Sequence, residues 1–280
     1  MATKSQVVGI SMVKDEIDIL PTTIKHMLTQ VDKLLILDDN SSDGTYEYLS
    51  SLASTSGPLY LLDPATSGGV FREGYYQSAK MTTLAMIALD QLGADWVVPF
   101  DADELWTSQW GTIKEVCENH EDTYGIIRAD LFDHMVTGSN DCVDVRSPVS
   151  YMQWRRVNPL PLPKVACRAT TDLVIEQGNH GARYNVPARM TEQAPIVVHH
   201  YPYRSHEQFI RKVRNGAAAY AKTDLPETAG AHWRQWGKFT DEQLVALFDT
   251  YYYVPDPTQP YFIDGIEQEQ PALYKDPFHV

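Results

Sequence analysis

Four short apolar segments, each separated from the next by a stretch of different periodicity, restrict what the first hundred or so residues can fold into. Val7–Val13 (VVGISMV), Lys33–Asp38 (KLLILD), Pro58–Leu62 and Asp95–Phe100 (DWVVPF) are too short for buried helices and read as strands. Between them, Glu16–Thr29 carries apolar residues at Ile17, Leu20, Ile24 and Leu28, the spacing of one helix face. Gly44–Leu52 and Gly74–Leu92 also read as helices, and the clusters at 39–44 and 64–73 as turn and loop. Strand and helix in alternation predict a mostly parallel sheet covered on both faces by helices, because parallel neighbours need a crossover. Ligands of such sheets sit beyond the carboxyl ends of the strands. Asp38 and Asp39 close one strand here, and Asp101 and Asp103 follow another.

The second half of the chain is less regular. Tyr124–Asp130, Ser150–Val157, Val165–Arg168 and Pro195–Tyr201 have strand character, and Pro159, Pro161 and Pro163 form an extended PLPLP linker. Ser205 with Gln208, and Thr240 with Gln243, are capping pairs that open helices running to about Lys222 and Tyr252. We therefore divide the chain into a catalytic domain over 1–222, with a nucleotide-binding half over 1–106 and an acceptor half over 107–222. A helical and irregular extension covers 223–280.

Charge bears on partners. The net charge is −14, which disfavours nucleic acid and anionic membrane as generic partners. Residues 151–222 nevertheless hold 11 Lys/Arg against 4 Asp/Glu, so an anionic group has a place to bind and nucleic acid stays open as an acceptor. The three cysteines, Cys117, Cys142 and Cys167, form no C-x-x-C pair, which suits a reducing compartment. Without a signal-like start or an apolar run long enough to span a bilayer, the expected location is the cytoplasm.

Two motifs carry chemistry. In FDADEL, residues 100–105, side-chain alternation lets Asp101 and Asp103 point the same way, about 7 Å apart along the strand. Hard cations such as Mg²⁺ and Mn²⁺ are held by one or two carboxylates plus substrate phosphate oxygens, so D-x-D after an apolar strand suits a metal–diphosphate site. In LDDNSSDGT, residues 37–45, a carboxylate of Asp38 or Asp39 can accept from a nucleobase imide or a ribose hydroxyl. Ser41, Ser42, Asp43 and Gly44 are turn and cap residues.

Together with the opening VKDEIDILPTTIKH, the segments LLILDDNSSDGT and WVVPFDADELW resemble the family 2-like glycosyltransferases of the GT-A, Rossmann-like fold, in the expected order over residues 7–106. The resemblance implies that Val13 borders the base and that Asp39 binds it, with Asp38 as the competing choice. It implies that Asp101 contacts the ribose or the metal and that Asp103 binds the metal. Lys80, or else Arg72, falls where many members place a basic residue. In IVVHHYPYRSHEQFIRK, residues 196–212, the resemblance offers His199 or His200 as a further metal ligand, with a slight preference for His199. Arg204, Arg211 and Lys212 are candidates to hold the diphosphate. The general base stays open among Glu176 in EQGNHGAR, Asp130, Asp133 and Glu104.

The implied activity is transfer, with inversion, from a nucleotide-diphosphate sugar, most simply a UDP-sugar, with Mn²⁺ or Mg²⁺ as cofactor. The acceptor would be a hydroxyl of a saccharide, a protein or another molecule. Aromatic residues at 201–203, Trp233, Trp236 and 251–253 suit sugar stacking or helix packing. Rival readings are a nucleotidyltransferase, for which a glycine-rich loop after the first strand is missing, and a non-catalytic nucleotide- or carbohydrate-binding protein.

Overall fold

The structure, a computed structural model, describes residues 5–53, 57–65, 67–121, 123–138, 147–185, 190–258, 262–263, 266–267, 272–276 and 278. Cys142 and parts of the predicted irregular tail lie outside the described residues. The elements in chain order begin with β1 (Val7–Val13), α1 (Leu20–Gln30), β2 (Lys33–Asp38), α2 (Thr45–Leu52), β3 (Leu59–Leu62), α3 (Gln77–Leu92) and β4 (Trp96–Pro99). Next come β5 (Glu104–Ser108), α4 (Ile113–Glu118), β6 (Tyr124–Thr137), α5 (Pro148–Tyr151), β7 (Trp154–Arg156), β8 (Lys164–Arg168), β9 (Leu173–Ile175), β10 (Ala182–Tyr184) and β11 (Met190–His200). The chain continues through α6 (His206–Ala221), α7 (Ala231–Trp236), α8 (Asp241–Tyr251) and β12 (Tyr253–Val254), then β13 (Phe262–Ile263), β14 (Ile266–Glu267) and β15 (Leu273–Lys275). Among the described residues no helix is long and apolar enough to cross a membrane.

The chain forms two compact units. The first comprises Met1–Arg72, Gln77–Leu131 and Pro159–His200. Its sheet runs β3-β2-β1-β4 with parallel neighbours, as the strand–helix alternation predicts. Beyond β4 the sheet is mixed: β8 pairs antiparallel with β4, and the first part of β6 antiparallel with β8. The expectation of a mostly parallel sheet therefore describes the N-terminal four strands. In this unit β5 and β11 also pair antiparallel.

Alternation along β1 and β2 builds two apolar layers. Val7, Val13, Leu34 and Ile36 pack on one face with Leu20, Ile24 and Met27 of α1. Val8, Ile10, Leu35 and Leu37 pack on the other with Met81, Leu84, Ala85 and Ala88 of α3. Gly9 lies on the α1 face where a Cβ would run into Leu34 and Phe100, so the close strand packing there needs glycine.

Helix α1 starts at Leu20 rather than near Glu16, for a tertiary reason. Asp15 has a positive φ of 54°. The amides of Asp15, Glu16 and Ile17 donate to Ser41 Oγ (3.0 Å), Thr45 Oγ1 (3.1 Å) and Asp43 Oδ2 (3.1 Å), which holds this stretch as a turn. Sequence reasoning also missed β5, which follows the D-x-D segment directly and pairs antiparallel with β11, and the β9–β10 hairpin, whose tip is the 176–181 turn.

The second unit comprises Glu73–Tyr76, Phe132–Asn158 and Tyr201–Val280. In it the end of β6 pairs with β7 and β12, and β7 with β15. Its helical part buries Phe209, Val213, Leu244 and Phe248, with Tyr203, Trp233, Trp236 and Tyr252 packed against them. Most of the aromatic residues singled out from the sequence are thus used in packing; Tyr203 and Tyr252, for example, have ring centroids 4.2 Å apart. Tyr251 is exposed. The caps read from the sequence are present: Ser205 accepts from Gln208 N, and Thr240 with Gln243 forms a full capping box.

Candidate active site

The chain leaves β1 to build β2 and β3 on one side, then crosses back to place β4 on the other. The carboxyl ends of β1 and β4 therefore flank the point where strand order reverses, the usual ligand crevice of such sheets.

The loops after β1 and β2 are bonded to each other. Asp39 N donates to Val13 O at 2.8 Å, and Lys14 Nζ donates to the carbonyls of Asp39 (2.9 Å) and Asn40 (2.7 Å). Ser42 N donates to Asp15 Oδ1 at 2.6 Å, and Asp43 Oδ1 accepts from Thr45 N at 3.0 Å. Ser41, Ser42 and Asp43 are thus occupied by turn and cap bonds.

Asp38 and Asp39 have different surroundings. Asp38 continues the Leu34–Ile36 row and is 2% exposed. Its Oδ2 accepts from Ser41 N at 3.0 Å, while Oδ1 finds no hydrogen-bond donor among the described residues. Burial pushes its carboxyl above the ordinary aspartate range. Asp39 accepts at Oδ1 from Lys80 Nζ, 2.8 Å away. Lys80 is a buried member of α3, so its ammonium is committed to the end of β2 rather than to solvent.

The D-x-D segment is held from three directions. Asp101 Oδ2 accepts from Lys164 Nζ at 2.6 Å, and Oδ1 accepts from Asn179 Nδ2 at 3.0 Å and Gln77 Nε2 at 3.2 Å. Lys164 Nζ also lies 2.7 Å from Glu104 Oε1 and donates to Gly178 O at 2.8 Å. Glu104 is fully buried, and its Oε2 accepts from Asp101 N at 3.2 Å and Trp106 Nε1 at 3.3 Å. Burial, partly opposed by Lys164, pushes the Glu104 carboxyl up to about 7. Burial works against the Lys164 charge, but Asp101 and Glu104 outweigh it and hold the ammonium above the ordinary lysine range.

Asp103 is also buried, and His200 Nε2 lies 3.7 Å from its Oδ1. In the β5–β11 ladder His200 stands opposite Glu104, and the buried His199 opposite Leu105. Among the described residues, no group of three or more His, Cys, Asp or Glu side chains is arranged to hold a metal ion.

The other candidates are spread more widely. Glu176 is exposed on the 176–181 turn, and Asp130 accepts from Gln193 Nε2 at 3.2 Å. Asp133, Arg204 and Arg211 belong to the second unit. There Asp133 Oδ2 lies 3.9 Å from Arg156 Nε, the buried Arg204 donates to Tyr201 O at 2.9 Å, and Arg211 is half-buried on α6.

Sequence reasoning did not single out Gln77, Lys164 or Asn179 as site residues, nor assign a role to His180. One signal was present: Asn179 lies between two glycines of the hairpin tip and adopts a positive φ of 59°, which asparagine tolerates. His180 Nδ1 lies 3.0 Å from Pro163 O; a carbonyl only accepts, so Nδ1 carries the proton. Burial and then Lys164 lower its pKa, which leaves Nε2 as a neutral acceptor.

No protein-family model matches the chain, and no curated protein matches it. Among solved structures, the apo form of the bifunctional glycosyltransferase WbbM is 18% identical with a TM-score of 0.29, over 46% of this chain and 24% of WbbM. A Bacillus anthracis protein, assigned as a glucose-1-phosphate thymidylyltransferase and solved with sucrose, is 12% identical with a TM-score of 0.30. That match covers 89% of this chain and 86% of the other. Neither score is high enough to transfer a function to this chain.

Proposed function

We propose that this protein is a glycosyltransferase that takes its sugar from a nucleotide-diphosphate donor bound at the carboxyl ends of β1, β2 and β4. The observation that carries the reading is the pairing of Asp103 with His200, 3.7 Å apart, where the strand order reverses. A carboxylate and an imidazole this close fit a hard divalent cation that completes its shell with diphosphate oxygens. Asp103 and His200 would hold Mn²⁺ or Mg²⁺, and such an ion supplies charge stabilisation for a departing nucleotide.

The remaining roles follow from the surroundings of each residue. Asp39, oriented by Lys80, would accept from the base or ribose, beside Val13 whose carbonyl already holds the Asp39 amide. Asp38 is turned into the α1 layer and serves its own turn. Asp101 orients the 176–181 turn, whose exposed Glu176 would take the proton of the acceptor hydroxyl. A UDP-sugar as donor and a saccharide or other hydroxyl as acceptor complete the proposal.

Calorimetric titration of UDP, GDP and TDP with and without Mn²⁺, on the wild type and Asp103→Ala, tests it. One nucleotide is expected to bind only with Mn²⁺, and Asp103→Ala to abolish that binding. A folded wild type that binds none of the three refutes the donor site.

A further inference from the structure

We propose that Lys164 is a positioning residue that acts as a resident cation, holding the D-x-D segment and the 176–181 turn in one geometry. This rests on the donor-site reading above. An ammonium has three donors and no acceptor, and here it is set among three oxygens. It donates to Asp101 Oδ2 at 2.6 Å and Gly178 O at 2.8 Å and is ion-paired with Glu104 Oε1 at 2.7 Å. With its side chain 3% exposed and set against these three oxygens, Lys164 is turned away from solvent, so its effect on the site passes through these partners.

Each partner restricts a different part of the site. Glu104 is fully buried and accepts from the Asp101 amide as well, so the Lys164–Glu104 pair fixes the backbone between β4 and β5 on which Asp103 is carried. Gly178 lies in the hairpin tip, and its amide is held by Gln77 Oε1 at 2.8 Å. Asn179, next to it, returns to Asp101 Oδ1. Lys164 thus closes a ring of bonds through β8, the D-x-D segment, the hairpin tip and α3. The charge balance follows too. Asp39 is countered by the ammonium of Lys80, and Asp101 and Glu104 by that of Lys164. That lowers the negative charge an incoming diphosphate meets.

The test compares wild type, Lys164→Met and the double variant Lys164→Met/Glu104→Gln. The double variant removes both buried charges, so that a stranded glutamate does not prevent folding. Lys114→Met, which removes an ion pair to Asp32 elsewhere in the same unit, is the control for a merely structural loss. Affinity for UDP, GDP and TDP with Mn²⁺ is measured on folded protein. The indole N–H resonance of Trp106, assigned with Trp106→Phe, reports the Glu104 carboxylate it donates to, and hydrogen exchange reports residues 176–181. We expect the folded Lys164 variants to lose about 10- to 100-fold in nucleotide affinity, the range for removing a residue that orients a ligand-binding group. The control should bind as wild type does. Unchanged affinity in the folded double variant overturns the proposal. If wild type binds none of the nucleotides, the donor reading fails, and the resonance and exchange data decide alone. An altered Trp106 resonance with faster exchange at 176–181 keeps Lys164 as a positioning residue, and no change in either overturns it.

Discussion

Replacing Lys80 by methionine isolates the ion pair that joins α3 to the end of β2. The Lys80 side chain is 1% exposed and that of Asp39 15%, with 2.8 Å between the charged atoms. At that distance the attraction is about 6 kcal/mol at an effective dielectric of about 20. Desolvation of the buried ammonium offsets several kcal/mol of it. Removing one partner of a buried pair costs about 3–5 kcal/mol. Asp39 keeps some access to water, which can take over part of the lost partner's role, so we expect about 2–3 kcal/mol, below or at the lower end of that range. Methionine keeps the apolar stem in place, so little of this loss is packing. The assay is a double-mutant cycle with Asp39→Asn, read by urea unfolding. A coupling of about 2 kcal/mol is expected, because the residues are in direct contact. A coupling below about 0.5 kcal/mol, the range of independent sites, refutes the pairing and makes Lys80 an ordinary helix lysine.

Two further predictions concern other parts of the molecule. Glu104 has a folded pKa of about 7 against an ordinary 4.5, so its proton is held more tightly in the folded state. The stability it contributes is present in full below about pH 4.5 and lost as pH rises through about 7, and Glu104→Gln should flatten that part of a urea-unfolding profile. In the second unit Gly230 has φ +64°, and a Cβ there would strike the Tyr220 ring. Gly230→Ala is therefore expected to lower stability by about 1–3 kcal/mol, measured by thermal unfolding, and an unchanged midpoint would contradict the strained conformation.

Much of the fold is legible along the chain because it rests on local rules. The bounds of β1 and β2 follow from runs of apolar residues, and the starts of α6 and α8 from Ser205 and Thr240 with their partners three residues on. Period and capping involve neighbours within one or two turns, so no distant residue has to be known. Where a distant contact intervenes, the same rules fail: α1 starts late because Ser41, Asp43 and Thr45 take the amides of the residues before it.

The candidate site divides along the same line. That carboxylates close β2 and follow β4 is readable from LDD and FDADEL, and the carboxyl-end rule makes them candidates. Alternation also states that Asp38 and Asp39 face opposite sides, without saying which side carries α1 and which α3. Only the tertiary structure turns Asp38 into the α1 layer and brings Lys80 to Asp39. It alone sets Lys164 and Asn179 on Asp101, across 63 and 78 residues, and His200 beside Asp103. The sequence by itself determined which segments are strands and helices and which of their ends are acidic, because backbone periodicity and end chemistry are short-range. Which charge neutralises which was decided by the crossovers and hairpins, because an ion pair depends on distance in space, and distance along the chain says nothing about it.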